Sequence, residues 1–261
     1  MSLLKKVAVH SISRKSFGKA FDIALRSRFS KVLIKPYIKL YKVNRSEIRP
    51  PKEYKSLTDF FSRDICPSLR PIAPGQNVVA SPVDGKIADL GYAKENKIIL
   101  AKNNSYSIPE LLSGQDLEEF RNGFYLNIYL SPRNYHRIHM PYPAKVIQHK
   151  YIPGKVFPVN NLGITTIKDL FAKNRRTYTL FQTPHGHKFI LIKVGALGVG
   201  KIVSNFTLGQ EIQKGMEIGR FEFGSTIIMI FQRDSFIPDK NLLANMEIKM
   251  GQPIGSILQY E

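Results

Sequence analysis

From residue 78 onward the chain is written in short β-type runs cut by turn residues, covering 78–80, 86–92, 98–101, 123–130, 145–151, 177–182, 188–194, 199–206, 219–223 and 226–231. Runs of this length and spacing specify a compact, mainly antiparallel β architecture. Helical signals inside this part are brief. Pro109 suits the first position of a helix beginning near Ile108, Glu118–Phe120 has helical character, and 167–173 is a further short helix. Thr183-Pro-His-Gly-His places His185 and His187 at a hairpin tip. After Pro238 the pattern predicts a loop and one more strand pair, turned by Gly251-Gln-Pro-Ile-Gly.

The first 45 residues read differently. Phe17, Ala20, Phe21, Ala24, Leu25, Phe29, Val32 and Leu33 recur at steps of three and four, the spacing of one helix face. Lys15, Lys19, Arg26 and Lys31 lie mostly off that stripe, and Pro36 predicts a break into two helical pieces. Arg49-Pro50-Pro51 closes the region. A short helix follows from Ser56 or Thr58, then an irregular link marked by Pro67, Pro71 and Pro74-Gly75. The expected fold class is therefore α+β, a mainly antiparallel β core with N-terminal basic amphipathic helices. Residues 1–50 form a membrane-associating helical region and 51–261 the β-rich domain.

Charge sharpens this division. The net charge of +19 favours a polyanionic partner, and residues 1–50 hold thirteen Lys and Arg against two acids. A basic helix with Phe and Leu on its apolar side fits an anionic membrane interface. The first fifteen residues also resemble a transit peptide in composition. No run of eighteen apolar residues is present, so no transmembrane helix is expected. Cys66 is the single cysteine, which excludes an internal disulfide, and no Cys/His cluster has zinc spacing, so no metal is expected.

Three stretches carry chemistry. Ser81-Pro-Val-Asp-Gly-Lys reads as a hairpin turn that fixes the Asp84 carboxylate. Residues 129–142 pack Arg133, His136, Arg137 and His139 into seven positions after a strand, which suits an anionic substrate and proton transfer. Gly224-Ser225-Thr226 lies between two β-type runs. It is not the elbow of a conventional serine hydrolase, which enters a helix. A serine placed after glycine in strand-like backbone can attack its own preceding carbonyl.

These stretches resemble the phosphatidylserine decarboxylase family of pyruvoyl-dependent proenzymes. The resemblance rests on the Asp-Gly segment at 81–86, Tyr-Leu-Ser-Pro-Arg-Asn-Tyr-His-Arg-Ile-His-Met-Pro at 129–141, Leu-Phe-Ala-Lys-Asn-Arg-Arg at 170–176 and Phe-Gly-Ser-Thr at 223–226, with weaker similarity from about residue 40 onward. It implies that Ser225 attacks the Gly224 carbonyl, with His139 as general base and Asp84 orienting it. The chain is then cut between Gly224 and Ser225 into a large chain 1–224 and a small chain 225–261. Ser225 becomes a covalent pyruvoyl cofactor, which forms a Schiff base with phosphatidylserine and releases phosphatidylethanolamine. By the same resemblance His136 serves the decarboxylation stage, and Arg133 and Arg137 meet the carboxylate and phosphate of the substrate.

The implied enzyme is a carboxy-lyase of phospholipid biosynthesis. Its expected location is the cytoplasmic face of the cell membrane, as a peripheral protein on an anionic phospholipid surface. A homodimer is compatible with this reading and nucleic acid is not an expected partner. Asn134, Arg175 and Phe223 stand where the family usually has Asp, Glu and Leu, and the segment after Val194-Gly-Ala also departs from the familiar pattern. None of these changes removes Asp84, His139 or Ser225. The alternative reading is a non-enzymatic basic β-rich module that binds acidic lipid or nucleic acid. It accounts for the charge but not for the joint presence of His139 and Gly224-Ser225.

Overall fold

The structure is a computed structural model that describes residues 15–49, 53–100, 104–196, 202–222 and 225–258. Its helices are α1 (Lys15–Arg26), α2 (Ile34–Tyr41), α3 (Leu57–Phe61), α4 (Ile108–Leu111), α5 (Asn161–Thr166) and α6 (Leu170–Lys173). The strands are β1 (Val78–Ala80), β2 (Gly85–Tyr92), β3 (Lys97–Leu100), β4 (Asn104–Ser107), β5 (Phe124–Leu130), β6 (Arg137–His139), β7 (Ala144–Ile152) and β8 (Arg176–Gln182). They continue as β9 (Lys188–Gly195), β10 (Ile202–Ser204), β11 (Glu211–Ile212), β12 (Glu217–Phe221), β13 (Ser225–Phe231), β14 (Phe236–Pro238), β15 (Glu247–Ile248) and β16 (Pro253–Ile257).

An eight-stranded sheet in the order β11-β7-β8-β9-β13-β5-β2-β15 forms the frame, and every neighbouring pair in it is antiparallel. Two three-stranded sheets, β10-β12-β6 and β1-β16-β14, and the β3-β4 ribbon complete the β structure. Side chains alternate across a strand, so β13 sends Ile228 and Ile230 to one face of the large sheet and Ile227 and Met229 to the other. Each set joins a separate buried cluster. Both faces being covered explains why β13 is buried along its whole length.

The expected α+β class, with its antiparallel core and N-terminal helices, is the observed one. The local readings need four corrections. The Asp84-Gly85 pair does not turn a hairpin, because β1 pairs with β16 and β2 with β5 and β15. The tail strands β15 and β16 form but do not pair with each other: β15 closes the edge beside β2, and β16 lies between β1 and β14. Helix is found at 161–166 as well as 170–173, started by the Asn160 side chain accepting from Gly163 N. The N-terminal helices separate at Ser27, through a 3-10 turn over Arg28–Leu33, rather than at Pro36. Pro36 stands in the first turn of α2, where its missing N–H has no helical acceptor to lose.

Leu25, Tyr37 and Val43 pack with Leu57, Phe60 and Phe61 of α3 in one cluster, and Tyr37 Oη donates to Pro132 O at 2.6 Å. The expected apolar stripe thus divides. Leu25 is buried, whereas Phe29, Val32 and Leu33 face outward together with Ile23 and Leu40. The side chains of Phe17 and Phe21 lie outside the described residues, as do the transit-like start, Ala101 and residues 199–201 of the predicted strands. Among the described residues no helix is long and apolar enough to cross a membrane.

Candidate active site

The site lies where the chain passes from one sheet to another. β12 belongs to the small sheet with β6 and β10, whereas β13 runs in the centre of the large sheet between β9 and β5. Glu222 leads out of β12, and Ser225 opens β13 opposite Leu130 on one side and Gly195 on the other. Phe223 and Gly224 lie outside the described residues. Ser225 points to the same sheet face as Ile227, is fully buried, and its Oγ has no hydrogen-bond partner among the described residues. The next residue is fully engaged: Thr226 Oγ1 bonds Asn127 Oδ1 at 2.8 Å and Ile128 O at 2.9 Å. A buried hydroxyl left without a partner costs free energy, and the serine singled out by sequence is among the few described hydroxyls in that state.

The histidine segment is brought to this crossing by β6. The sequence gives Arg137–His139 no strand signal, because three residues alone carry no strand period. Pairing with β12 makes them a strand, with His139 opposite Glu217. His139 Nδ1 faces Gly215 O at 2.8 Å and Nε2 faces Tyr135 Oη at 3.0 Å. A carbonyl can only accept, so Nδ1 carries the proton and Nε2 accepts from the phenol. Burial lowers the His139 pKa, partly opposed by the Gly215 carbonyl. Burial raises that of Tyr135, which keeps its proton. His139 is therefore a neutral imidazole with its basic nitrogen held by one hydroxyl.

His136 is buried completely against the Phe61 ring, with centroids 3.9 Å apart. Its Nδ1 donates to Asn134 O at 2.9 Å, and Nε2 has no partner among the described residues. Burial, and then the Arg63 charge, push its pKa down to about 3. The ring is thus a second neutral base with a free lone pair. Its backbone oxygen accepts from Phe221 N at 3.0 Å, so it is tied to the strand that leads to Ser225.

Asp84 takes a different place from the one a triad requires. Arg70 grips it with Nε on Oδ1 at 2.8 Å and Nη2 on Oδ2 at 2.5 Å, and Met250 N donates to Oδ1 at 2.8 Å. The His139 Nδ1 proton goes to Gly215 instead. The connection between the two residues runs through backbone, since His139 N donates to Pro82 O at 2.9 Å. Burial opposes the Arg70 charge, but its bonds to Asp84 and Glu47 raise its pKa above the ordinary value. Arg70 was not singled out from sequence, although it is the one charged residue between Ile65 and Asn77.

The two candidate substrate arginines are already paired. Arg137 Nη1 bonds Glu217 Oε2 at 2.8 Å and its Nε donates to Ser62 O at 3.1 Å. Arg133, half exposed, bonds Glu247 Oε1 at 3.0 Å. It stands at the rim of two adjoining cavities of about 360 and 290 Å³. The first reaches Asp84 and Tyr135, and the second opens beside Leu40 and Tyr41 of the outward apolar face.

Known proteins are similar to this chain over most of its length. The family model described as phosphatidylserine decarboxylase matches residues 57–256. The phosphatidylserine decarboxylase proenzyme of Brevibacillus brevis is 36% identical, over 95% of this chain and 96% of its own length. The proenzyme of the same name from Anoxybacillus flavithermus is 38% identical over 90% and 88%, and that from Nitrosococcus oceani 35% over 86% and 81%. The match runs from α3 through the histidine strand and past Ser225 into β16, and on that ground the chain belongs to the phosphatidylserine decarboxylase family.

Proposed function

We propose that the protein decarboxylates phosphatidylserine to phosphatidylethanolamine after cutting itself between Gly224 and Ser225. The observation that carries this reading is the Ser225 hydroxyl: buried, without a partner among the described residues, facing a strand position held by glycine, and placed at the crossing between two sheets. The pairing of β13 on both sides holds Ser225 still, which favours attack on one fixed carbonyl. His139 Nε2 accepts the serine proton once the Tyr135 hydroxyl turns away from it. Asp84 serves this arrangement as a strut. Clamped by Arg70 and Met250 N, it fixes the 82–84 segment whose Pro82 oxygen anchors the His139 backbone.

The residues present suit a pyruvoyl group at position 225, since Gly195 opposite carries no side chain and no described side chain claims the Ser225 oxygen. That group supplies an electron sink for loss of the substrate carboxylate. His136, kept neutral by burial, presents an unpaired Nε2 lone pair that accepts a hydrogen bond or a proton in transit, without storing one. Arg133 exchanges its exposed Glu247 partner for the substrate phosphate, an exchange that costs little for a rim pair. The outward face of Ile23, Phe29, Val32, Leu33 and Leu40, set among lysines and arginines, rests on an anionic phospholipid surface. We place that surface on the cytoplasmic side, whose leaflet attracts basic segments.

Intact mass before and after incubation tests the proposal. The protein is expected as two chains, the smaller with a blocked N-terminus, that release CO₂ from phosphatidylserine. Ser225→Ala is expected as one chain of 29.7 kDa. An active protein found only as one chain refutes the self-cleavage reading.

A further inference from the structure

The Glu222 carboxylate is the feature this mechanism leaves unused. Its side chain is 8% exposed, and both its oxygens face the Arg26 guanidinium from the last turn of α1. Arg26 is held in turn by Asp22 one turn earlier, with Nε at 3.0 Å from each carboxylate oxygen. The pair spans 196 residues of sequence and joins the N-terminal helix to the segment entering Ser225.

The location gives the contact its meaning. Ladder hydrogen bonds hold the chain up to Phe221 in β12 and again from Ser225 in β13. Glu222 is the one described residue between these two anchors, and Arg26 is its cation. A buried carboxylate that loses its cation turns to water or takes up a proton, and either response moves the backbone that carries it. A displacement of about an ångström near a reacting bond costs orders of magnitude in rate. Helix α1 takes no part in either sheet, so both ladders survive its loosening. The preceding residue, Leu25, packs in the cluster that contains Phe61, and Phe61 lies against His136.

We propose that Arg26 is a positioning residue for self-cleavage, acting through Glu222, and that the docked N-terminal helix is therefore part of the maturation apparatus. This rests on Ser225 being the site of cleavage. Docking of α1 sets the crossing segment, and the chain matures only when its amphipathic N-terminal region is seated on the β domain.

The test follows the appearance of two chains over time for full-length Arg26→Gln, Arg26→Lys, Glu222→Gln and the reversed pair Arg26→Glu with Glu222→Arg. Folding of each is checked by circular dichroism and cooperative melting in a Ser225→Ala background. Both glutamine variants are expected to fold and to cleave about tenfold or more slowly. Arg26→Lys stays close to the parent rate, and the reversed pair recovers most of it. Glutamine variants that cleave at the parent rate overturn the proposal, as does a folded reversed pair no faster than the single variants. If Arg26→Gln does not fold, Glu222→Gln decides by the same criterion. A parent protein that never cleaves removes the Ser225 reading and this one with it, whereas failure of the pairing alone leaves parental cleavage intact.

Discussion

Lys193 interrupts the apolar strand β9 with an amine that is completely buried. No carboxylate among the described residues accompanies it. Its Nζ donates to Val203 O at 3.3 Å, lies 2.7 Å from Ser204 Oγ, and sits 5.5 Å from the centre of the Phe206 ring. Burial pushes its pKa from 10.5 down to about 7. The native state therefore holds Lys193 largely neutral above that pH, while the unfolded chain keeps it protonated up to its ordinary value. Between these limits unfolding takes up a proton, so this residue makes stability rise with pH, with no slope below about 7 or above about 10.5. At pH 7.5 the native protein has given up roughly 4 kcal/mol to strip that proton. Lys193→Met recovers this and loses two hydrogen bonds, a loss of about 2 kcal/mol. The variant should be more stable by about 2 kcal/mol at pH 7.5, with the gain falling by about 1.4 kcal/mol per pH unit and vanishing near pH 9. Urea unfolding of Ser225→Ala chains with and without the substitution, at pH 7.5 and 9.5, measures the difference while other titrating groups cancel. A difference that does not change between these pH values refutes the argument, because it means that Lys193 is charged in the native protein.

Three further outcomes are expected. Arg70→Met leaves the buried Asp84 carboxylate without its cation and should destabilise the protein by about 3 kcal/mol or more, read as a lowered melting temperature. Because burial lowers the His139 pKa, self-cleavage should stay at its plateau as pH falls through 6.5 and decline only below it; Tyr135→Phe removes a donor to the neutral ring, so its acid limb, followed by gel densitometry, should move to higher pH. Phe29→Ser combined with Val32→Ser removes two outward apolar side chains and should weaken sedimentation with anionic vesicles about tenfold or more, leaving the melting temperature unchanged.

The strands of the large sheet were legible because a run such as 227–231 is apolar throughout, and only a strand or helix core reads that way. Their partners were not, because pairing is decided by the whole sheet. Nothing near Val78 announces that β1 joins β16, 178 residues later by its first partner pair at Ser256 and Val78. The charged, three-residue β6 becomes a strand only because β12 lies beside it. The candidate residues Asp84, His139 and Ser225 stand out in the sequence by type and order. Their partners were hidden by distance along the chain: Arg70 stands fourteen residues from Asp84, and Arg26 meets Glu222 from the opposite end of the molecule. Asp84 illustrates the difference. Sequence marks a carboxylate fixed by a turn, but only the fold shows that an arginine and an amide N–H have already claimed it.

Strand β13 has a neighbour on each side, β9 and β5, and the same C-terminal segment supplies β14, β15 and β16 to two sheets. A chain cut before Ser225 therefore yields a small polypeptide whose first strand is the middle plank of the large sheet. It cannot leave without exposing both buried clusters, so separation of the chains and global unfolding become a single event. The cut would convert a unimolecular folding equilibrium into a bimolecular one, whose midpoint depends on protein concentration. A small chain lost once would not be readily regained, so the mature protein would owe its persistence to slow unfolding rather than to refolding.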